Sequence, residues 1–347
     1  MKLSDYDYQF PQDLIAVSPA SPRSSSRLLS FERSHERLSE SLFNALPDFL
    51  SSSDVIVMNK THVIPARFEA TKKTGGRLEG LFFESLNKDR IKVWLQGRVK
   101  EGDELIFSDK LSARVIEKKE RDVFLDISQA AFLEFLSLHG KPALPPYILK
   151  RRRELHLSED QSSDFESYQT LMAEASVHFS VAAPTASFHF DELVFKKLQE
   201  RGVQIETISL HIGAGTFLPL ENSEVEKNHL HSEFVEIEPE VWERLLRYKS
   251  EGKRLIAVGT TVTRSLESAW LRHQESLPID SFQTDLFIYP PYSFQMVDSL
   301  ITNFHQPKSS LLVLIDAFSK AKWRQIYSYA LEKRYRLFSY GDALWIQ

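Results

Sequence analysis

The sequence RLIAVGTTVTRSLESAWLR, residues 254–272, contains the pattern that decides the fold. It predicts a short buried strand over 254–258, a turn over 259–261 and a helix over 262–272. Similar elements are predicted around it: a helix over 191–201 that ends at Gly202, a strand over 203–210, a helix over 240–250 and a buried apolar run over 311–315. Strands that alternate with helices indicate an α/β layer domain.

A second pattern occupies residues 68–128, where short segments of strand character follow one another closely. The segments are 77–86, 90–96, 104–107, 111–117 and 122–127. Residues 87–89 fit a tight hairpin connection, and residues 101–103 fit another turn. This spacing predicts a small antiparallel β-barrel, followed by a helix over 129–138.

Together the two patterns predict the fold class, which is a main α/β layer domain with an inserted small antiparallel β-barrel domain. We expect the main domain to be discontinuous, over 1–67 and 154–347. The insertion is expected to cover 68–153 and to include a basic linker. Prolines and polar residues over 141–167 predict a linker or an exposed loop there.

Composition excludes several classes of chemistry. The chain has 347 residues and a formal net charge of −5, and it contains no cysteine. Disulfides, a thiolate nucleophile, a cysteine-ligated zinc site and an iron–sulfur cluster are therefore excluded. No window approaches the ~18 to 20 apolar residues of a membrane span. The N-terminus lacks the pattern of a signal peptide, so we expect a cytoplasmic location.

The turn at Gly259, Thr260 and Thr261 is a candidate ligand site. A strand that leads through a glycine turn into a helix presents free N–H groups, which can hold a carboxylate, a phosphate or a hydroxyl-rich ligand. The alternative is a threonine-capped turn with a surface ion pair, because Arg264 and Glu267 are three residues apart and share a helix face.

Residues 211–217, HIGAGTF, only superficially resemble a dinucleotide-binding motif. The third glycine would fall at Leu218, and Pro219 follows instead of a helix, so we expect no nicotinamide site. Glycines after a strand still permit close approach of a ligand to the backbone. Candidate residues in this segment are His211, Gly213, Gly215 and Thr216.

His229, His231 and Glu233 are spaced two residues apart, so in a strand all three side chains would lie on one face. This is a possible metal-ligand pattern, and the alternative is a hydrogen-bonded polar cluster. Five of the six histidines between residues 189 and 305 favour a shared pocket in the main domain. They are His189, His211, His229, His231 and His305.

Two basic segments flank the predicted barrel. One contains Lys72, Lys73 and Arg77, and the other is the run over 150–153. Such runs are either solvated surface or a source of contacts to an RNA backbone, and the sequence leaves both interpretations open.

Many segments, taken together and in order, resemble the S-adenosylmethionine:tRNA ribosyltransferase-isomerase family of queuosine biosynthesis. The resemblance extends nearly from end to end of the chain. The segments are DYDYQFPQDLIAVSP (5–19), MNKTHVIPAR (58–67), TGGRLEG (74–80), LPPYI (144–148), YQT (168–170), SVAAPTASFHF (180–190), LHIGAGTFLPL (210–220), HLHSEFVEI (229–237), VGTTVTRSLES (258–268), TDLFIYPPYSF (284–294), TNFHQPKSSLLVLIDAF (302–318) and FSYGDALWI (338–346).

The resemblance implies an enzyme that uses S-adenosylmethionine as a ribosyl donor and needs no metal. The implied acceptor is 7-aminomethyl-7-deazaguanine at the wobble position of a tRNA with a GUN-type anticodon. The ribosyl group is transferred and isomerised, which gives epoxyqueuosine-tRNA, adenine and methionine. The resemblance also implies a cytoplasmic monomer with an α/β domain and an inserted barrel.

We expect the site residues to be drawn from these segments. Residues expected to serve catalysis as proton carriers or neighbours of the reacting atoms are His189, His211, His229, His231, Glu233 and His305. Residues expected to hold the donor are Thr185, Gly213, Gly215, Thr216, Gly259, Thr260, Thr261, Arg264 and Glu267.

The chain departs from the family pattern at a few positions. Lys60 and His62 stand where the family commonly has aspartate and arginine, and Pro291 replaces a usual glycine. These departures motivate one alternative, a divergent paralogue that uses another acceptor or binds RNA without turnover. A second alternative is a metallohydrolase built on His229, His231 and Glu233.

Overall fold

A computed structural model describes residues 1–211 and 220–347, with residues 175–179 described by their backbone alone. The strands are β1 (Arg27–Glu32), β2 (Arg37–Leu42), β3 (Asp54–Asn59), β4 (Thr61–Val63), β5 (Arg67–Lys72), β6 (Arg77–Asn87), β7 (Arg90–Gln96), β8 (Glu104–Ser108), β9 (Leu111–Lys119), β10 (Asp122–Asp126), β11 (Glu174–Ser180), β12 (Gln204–His211), β13 (Glu233–Glu236), β14 (Arg254–Val258), β15 (Ser281–Thr284), β16 (Ser299–Asn303) and β17 (Ala343–Ile346). The α-helices are α1 (Gln129–His139), α2 (Pro146–Glu154), α3 (Asp164–Ser167), α4 (Glu192–Glu200), α5 (Pro239–Ser250), α6 (Thr260–Gln274), α7 (Ser310–Phe318) and α8 (Trp323–Glu332).

A nine-stranded mixed sheet forms the main layer, in the order β15-β13-β12-β3-β14-β16-β17-β1-β2. Its centre, from β12 through β3 and β14 to β16, is parallel. Alternate side chains of these strands belong to two different cores: Val55 and Val57 of β3 pack in the larger one, and Ile56 and Met58 in the smaller one. Helices cover both faces, which explains why the central strands are apolar throughout.

The inserted unit is a closed barrel in the order β10-β7-β6-β5-β8-β9, with antiparallel neighbours around it. Phe132, Phe135 and Leu136 of α1 pack into its core. The two chain ends of the insertion meet, because Arg67 and Lys141 exchange two backbone hydrogen bonds of 2.9 and 2.7 Å. The predicted fold class is therefore confirmed, while the domain limits at 68 and 153 stay a prediction.

The prediction of a linker or exposed loop over 141–167 is wrong in its main part. The basic run lies on α2, and Arg152 is 1% exposed. Its guanidinium forms a two-point ion pair with Asp164 of α3. The polar composition that predicts a loop here instead supplies a buried pair, which only the fold brings together.

Within residues 1–211 and 220–347, every helix is too short or too polar to cross a bilayer.

Candidate functional site

A cavity of about 530 Å³ lies at the carboxyl ends of the adjacent parallel strands β14 and β16. Open α/β sheets commonly bind ligands at this edge, because the loops that leave the strands converge there. The volume lies within the range of about 300–1,000 Å³ typical of small-molecule sites. Its lining includes Tyr147, Tyr168, Thr185, Gly259, Thr260, Thr261, Thr302, Asn303, His305, Ser309, Phe338 and Ser339.

The turn at Gly259 forms one wall of this cavity. Gly259 has a φ of 100°, a backbone conformation that residues with a Cβ rarely adopt. Its N–H donates to the carbonyl of Ile301 at 2.8 Å, which ties the turn to β16. Helix α6 begins at Thr260, so its first N–H groups lie at the cavity wall, as the sequence pattern predicts.

A second helix, α7, begins at the same cavity. Ser309 caps it by accepting a hydrogen bond from the N–H of Leu312 at 3.2 Å. The positive ends of two helix dipoles thus lie at the cavity. This arrangement favours an anionic or electron-rich group of a ligand.

His305 lines the cavity between β16 and α7. Its Nε2 lies 2.9 Å from the hydroxyl oxygen of Thr302. Its backbone is fixed on both sides, because its N–H donates to the Tyr327 hydroxyl at 2.8 Å and its carbonyl accepts from the Tyr8 hydroxyl at 2.6 Å. Burial lowers the pKa of His305 to about 3. The imidazole is therefore neutral at pH 7, with one ring nitrogen that donates and one that accepts a hydrogen bond.

His189 lies directly behind the cavity wall and is 3% exposed. Its Nδ1 is 2.9 Å from the Ser26 hydroxyl, and its Nε2 is 3.2 Å from the Asn303 side-chain nitrogen. The Asn303 oxygen accepts a hydrogen bond of 2.9 Å from the hydroxyl of Thr185. Burial, assisted by the positive charges of Arg336 and Arg23, lowers the pKa of His189 to about 3.

His211 lies at the end of β12, with its Nε2 3.0 Å from an oxygen of Glu236. His229 and His231 are exposed and precede β13, which begins only at Glu233. The prediction that three side chains share one strand face is therefore wrong. The His231 ring instead lies 6.4 Å from the ring of Phe83 of the barrel.

The side chains of Arg264 and Glu267 are buried and have different partners. Arg264 donates to Glu233 at 2.7 Å and to the carbonyl of Leu286 at 2.8 Å. The Glu267 carboxylate accepts the N–H groups of residues 295, 296 and 297. The surface ion pair considered from the sequence is thus wrong, and Glu267 anchors a loop.

Some of the residues that the sequence predicts for the site lie together at the cavity, and others do not. Thr185, Thr260, Thr261 and His305 share the cavity, while Gly213, Gly215 and Thr216 lie outside the described residues. Within the described ranges, no group of three or more acidic or histidine side chains is arranged to hold a metal ion. A metal centre on His229, His231 and Glu233 therefore has no support in the described part of the chain.

Several cavity residues are missed by sequence reasoning. An aromatic and hydroxyl-bearing wall is formed by Tyr147, Tyr168, Phe338 and Ser339, and the rings of Tyr147 and Phe338 have centroids 5.0 Å apart. Asn303 is also missed. All of them lie in segments that carry the family resemblance, which is the only signal in the sequence that points to them.

Lys60, His62 and Pro291, where the chain departs from the family pattern, are not among the residues that line this cavity. Lys60 binds two carboxylates, of Glu238 at 2.9 Å and of Glu174 at 3.3 Å. The Nε2 of His62 lies 3.4 Å from the side-chain nitrogen of Gln169. Lys60 also lines a separate cavity of about 330 Å³ beside β12 and β13.

Comparison with known proteins places this geometry in context. A family model described as "Queuosine biosynthesis protein" matches residues 3–346. A protein of Thermotoga petrophila named S-adenosylmethionine:tRNA ribosyltransferase-isomerase is 40% identical over 350 residues, with 100% of both chains covered. A Coxiella burnetii protein of the same name is 40% identical, with 99% of this chain and 98% of that protein covered.

A solved structure shows the same similarity in three dimensions. The crystal structure of S-adenosylmethionine tRNA ribosyltransferase from Thermotoga maritima is 30% identical in sequence and superposes with a TM-score of 0.55. The match covers 99% of this chain and 100% of that one. The two chains therefore share a fold over nearly their full lengths.

Proposed function

We propose a function from the premise that the chain belongs to the queuosine biosynthesis protein family. The protein is an S-adenosylmethionine:tRNA ribosyltransferase-isomerase. It transfers the ribosyl group of S-adenosylmethionine to 7-aminomethyl-7-deazaguanine at the tRNA wobble position and isomerises it. The products are epoxyqueuosine-tRNA, adenine and methionine.

The observation that carries the proposal is the cavity at the carboxyl ends of β14 and β16. Thr185, Thr260 and Thr261 line, together with His305, one volume of about 530 Å³. Such a wall provides hydrogen-bonding groups for the hydroxyls and amines of a nucleoside. The two helix N-termini suit the carboxylate at the methionine end of the donor.

The reaction needs proton transfers that this site can supply. A base removes a proton next to the positive sulfur, an acid helps adenine to depart, and the acceptor amine loses a proton before it attacks. Among the six proposed proton carriers, His305 lines the cavity in the described part of the chain and is neutral. We assign it to proton transfer on its position in the cavity, and single substitutions decide which residue acts as base and which as acid.

The proposal includes a tRNA with a GUN-type anticodon as partner, and a monomeric, cytoplasmic enzyme that needs no metal. Helix α2 supports the RNA assignment. It contributes Tyr147 to the cavity and carries Lys150 and Arg153, whose side chains are 69% and 60% exposed. Such lysine and arginine side chains bind phosphates without selecting a sequence.

The direct test uses the purified chain, S-adenosylmethionine and tRNA that carries the 7-deazaguanine precursor. We expect adenine and methionine to be released in amounts equal to the modified tRNA. The matched control is the same tRNA with guanine at the wobble position, which should give no release. If the precursor tRNA gives no release either, the divergent paralogue with another acceptor becomes the better proposal, as the Lys60 and His62 departures would then require.

A further inference from the structure

A buried hydrogen-bond network, Ser26–His189–Asn303–Thr185, extends to the cavity wall. We propose that His189 is a positioning residue: through Asn303 it fixes the Thr185 hydroxyl as a hydrogen-bond acceptor for a hydroxyl or amine of the bound donor substrate. The proposal deepens the proposed function and rests on it for the identity of the ligand, S-adenosylmethionine.

In this hydrogen-bond network, the donor and acceptor of one hydrogen bond determine those of the next. Asn303 turns its amide nitrogen to Nε2 of His189 at 3.2 Å, and this nitrogen can only donate. Nε2 therefore accepts, so the neutral ring carries its proton on Nδ1 and donates to the Ser26 oxygen at 2.9 Å. One nitrogen of the ring thus donates and the other accepts.

Burial makes this direction obligatory. Ser26, His189 and Asn303 are 2%, 3% and 2% exposed, so water cannot replace a lost partner. A buried donor or acceptor without a partner costs more than its hydrogen bond contributes, so the four groups are oriented together. Burial also lowers the pKa of His189 to about 3, and a charged ring with two donors would oppose the amide nitrogen of Asn303.

The consequence appears at Thr185. The Asn303 oxygen can only accept, so the Thr185 hydroxyl donates its one proton at 2.9 Å, away from the ligand. Thr185 lines the cavity, and with its proton engaged its oxygen can offer only lone pairs to a ligand. The complementary group on S-adenosylmethionine is a donor, which the ribose hydroxyls and the adenine amine provide.

His189 is therefore distinguished from His305. His305 lines the cavity and is placed to exchange a proton with the substrate, whereas His189 is separated from it by Asn303 and keeps its proton throughout. The earlier expectation that His189 is itself a proton carrier is replaced by this indirect role.

A pair of His189 variants tests the hydrogen-bond network. In His189→Gln, the longer side chain places an amide oxygen near the position of Nε2, so it can still accept from Asn303. In His189→Asn, the shorter side chain keeps a group near Nδ1 and loses the contact with Asn303. We expect His189→Asn to weaken S-adenosylmethionine binding, measured by calorimetry, roughly 3- to 10-fold, as for one net hydrogen bond, and His189→Gln to bind nearly as the wild type does.

Coupling to Thr185 separates positioning from a general structural role. Thr185→Val removes the acceptor, so adding His189→Asn to it should weaken binding no further. Relative to the wild type, His189→Asn, Thr185→Val and the double variant should each show a raised KM for S-adenosylmethionine. Their kcat for adenine release should change less than twofold. Additive losses, or equal losses in His189→Gln and His189→Asn, would overturn the proposal.

A spectroscopic measurement tests the hydrogen-bond network independently of activity. Nitrogen NMR of protein labelled in histidine should show the His189 ring with a protonated Nδ1 and a bare Nε2, its signal being assigned by its absence in His189→Gln. A protonated Nε2 would overturn the proposal. If the wild-type protein binds no S-adenosylmethionine, the proposed function and the ligand named here both fail. The NMR result still decides which groups of the hydrogen-bond network donate and which accept.

Discussion

Arg152 and Asp164 form an ion pair through two parallel hydrogen bonds, Nη1 to Oδ2 at 2.7 Å and Nη2 to Oδ1 at 2.8 Å, and both side chains are buried. The same guanidinium donates to the carbonyls of Val17 and Glu159. One arginine thus joins the N-terminal segment, α2 and α3. The neighbouring Arg153 is exposed, so two adjacent arginines have different roles.

Arg152→Ala should lower the free energy of unfolding by about 3–5 kcal/mol, because it leaves the Asp164 carboxylate buried without its partner. The matched control is Arg153→Ala, which should change it by less than about 0.5 kcal/mol, as is usual for exposed side chains. Urea unfolding of both variants provides the measurement. Equal midpoints for the two variants would contradict the assigned roles.

Lys150→Ala combined with Arg153→Ala should weaken tRNA binding without changing stability. Each removed charge should reduce the slope of log affinity against log salt by roughly 0.7–0.9, as expected when one phosphate contact is lost. The control is Arg201→Ala with Lys253→Ala, which removes two charges next to the amino ends of β12 and β14, at the opposite edge of the sheet. A similar loss in both double variants would place the tRNA elsewhere.

Glu267→Gln should destabilise the fold while leaving donor binding intact. The carboxylate holds three successive backbone N–H groups of the 295–297 loop, and an amide would turn a donor towards them. We expect a loss of roughly 1.5–3 kcal/mol, as for hydrogen bonds to a charged group, and an unchanged Kd for S-adenosylmethionine. Glu275→Gln, at the exposed end of the same helix, is the control. Weakened binding at full stability would instead restore Glu267 to the donor site.

His189 should make stability fall at mildly acidic pH. Its pKa is about 3 in the folded protein and about 6.5 when unfolded, so the unfolded chain binds more protons between these values and the stability rises with pH. This contribution is complete above pH 6.5 and is lost as the pH falls. Between pH 6.5 and 5 the wild type should lose about 1.5–2 kcal/mol more than His189→Gln. Parallel curves of urea midpoint against pH would contradict a buried neutral imidazole.

His305→Gln should reduce single-turnover adenine release at least 100-fold, in the range typical for loss of a side chain that takes part in proton transfer. The control is His35→Gln, which changes an exposed ring on the turn between β1 and β2 and should stay within a few-fold of the wild type. Unfolding curves and S-adenosylmethionine affinity should be measured for both, so that a folding defect is not taken for a catalytic one. Near-normal rates for His305→Gln would remove it from the reaction.

Local periodicity was enough to predict some of the elements that hold the site, namely β14 and α6, but not β16 or α2. Residues 254–258 form β14 as expected, because a short apolar run between charged and glycine breaks fits a buried strand. The run over 311–315 shows the limit of this reasoning. It is buried but belongs to helix α7, and an apolar run of that length does not by itself distinguish helix from strand.

The partners of the charged side chains could not be predicted in this way. Arg264 and Glu267 share a helix face, yet each pairs with a segment far away in sequence, at Glu233 and at the 295–297 loop. His189 and Asn303 are likewise 114 residues apart. Such pairs depend on which strand ends become neighbours, and spacing along one element contains no information about that.

The two hydrogen bonds between Arg67 and Lys141 have a consequence for how the molecule is assembled. The barrel lies between these two residues in the sequence, so the chain leaves the α/β domain and returns to it at the same place. No strand of the barrel pairs with a strand of the nine-stranded sheet in the described residues, so the hydrogen bonds of that sheet close without the insertion.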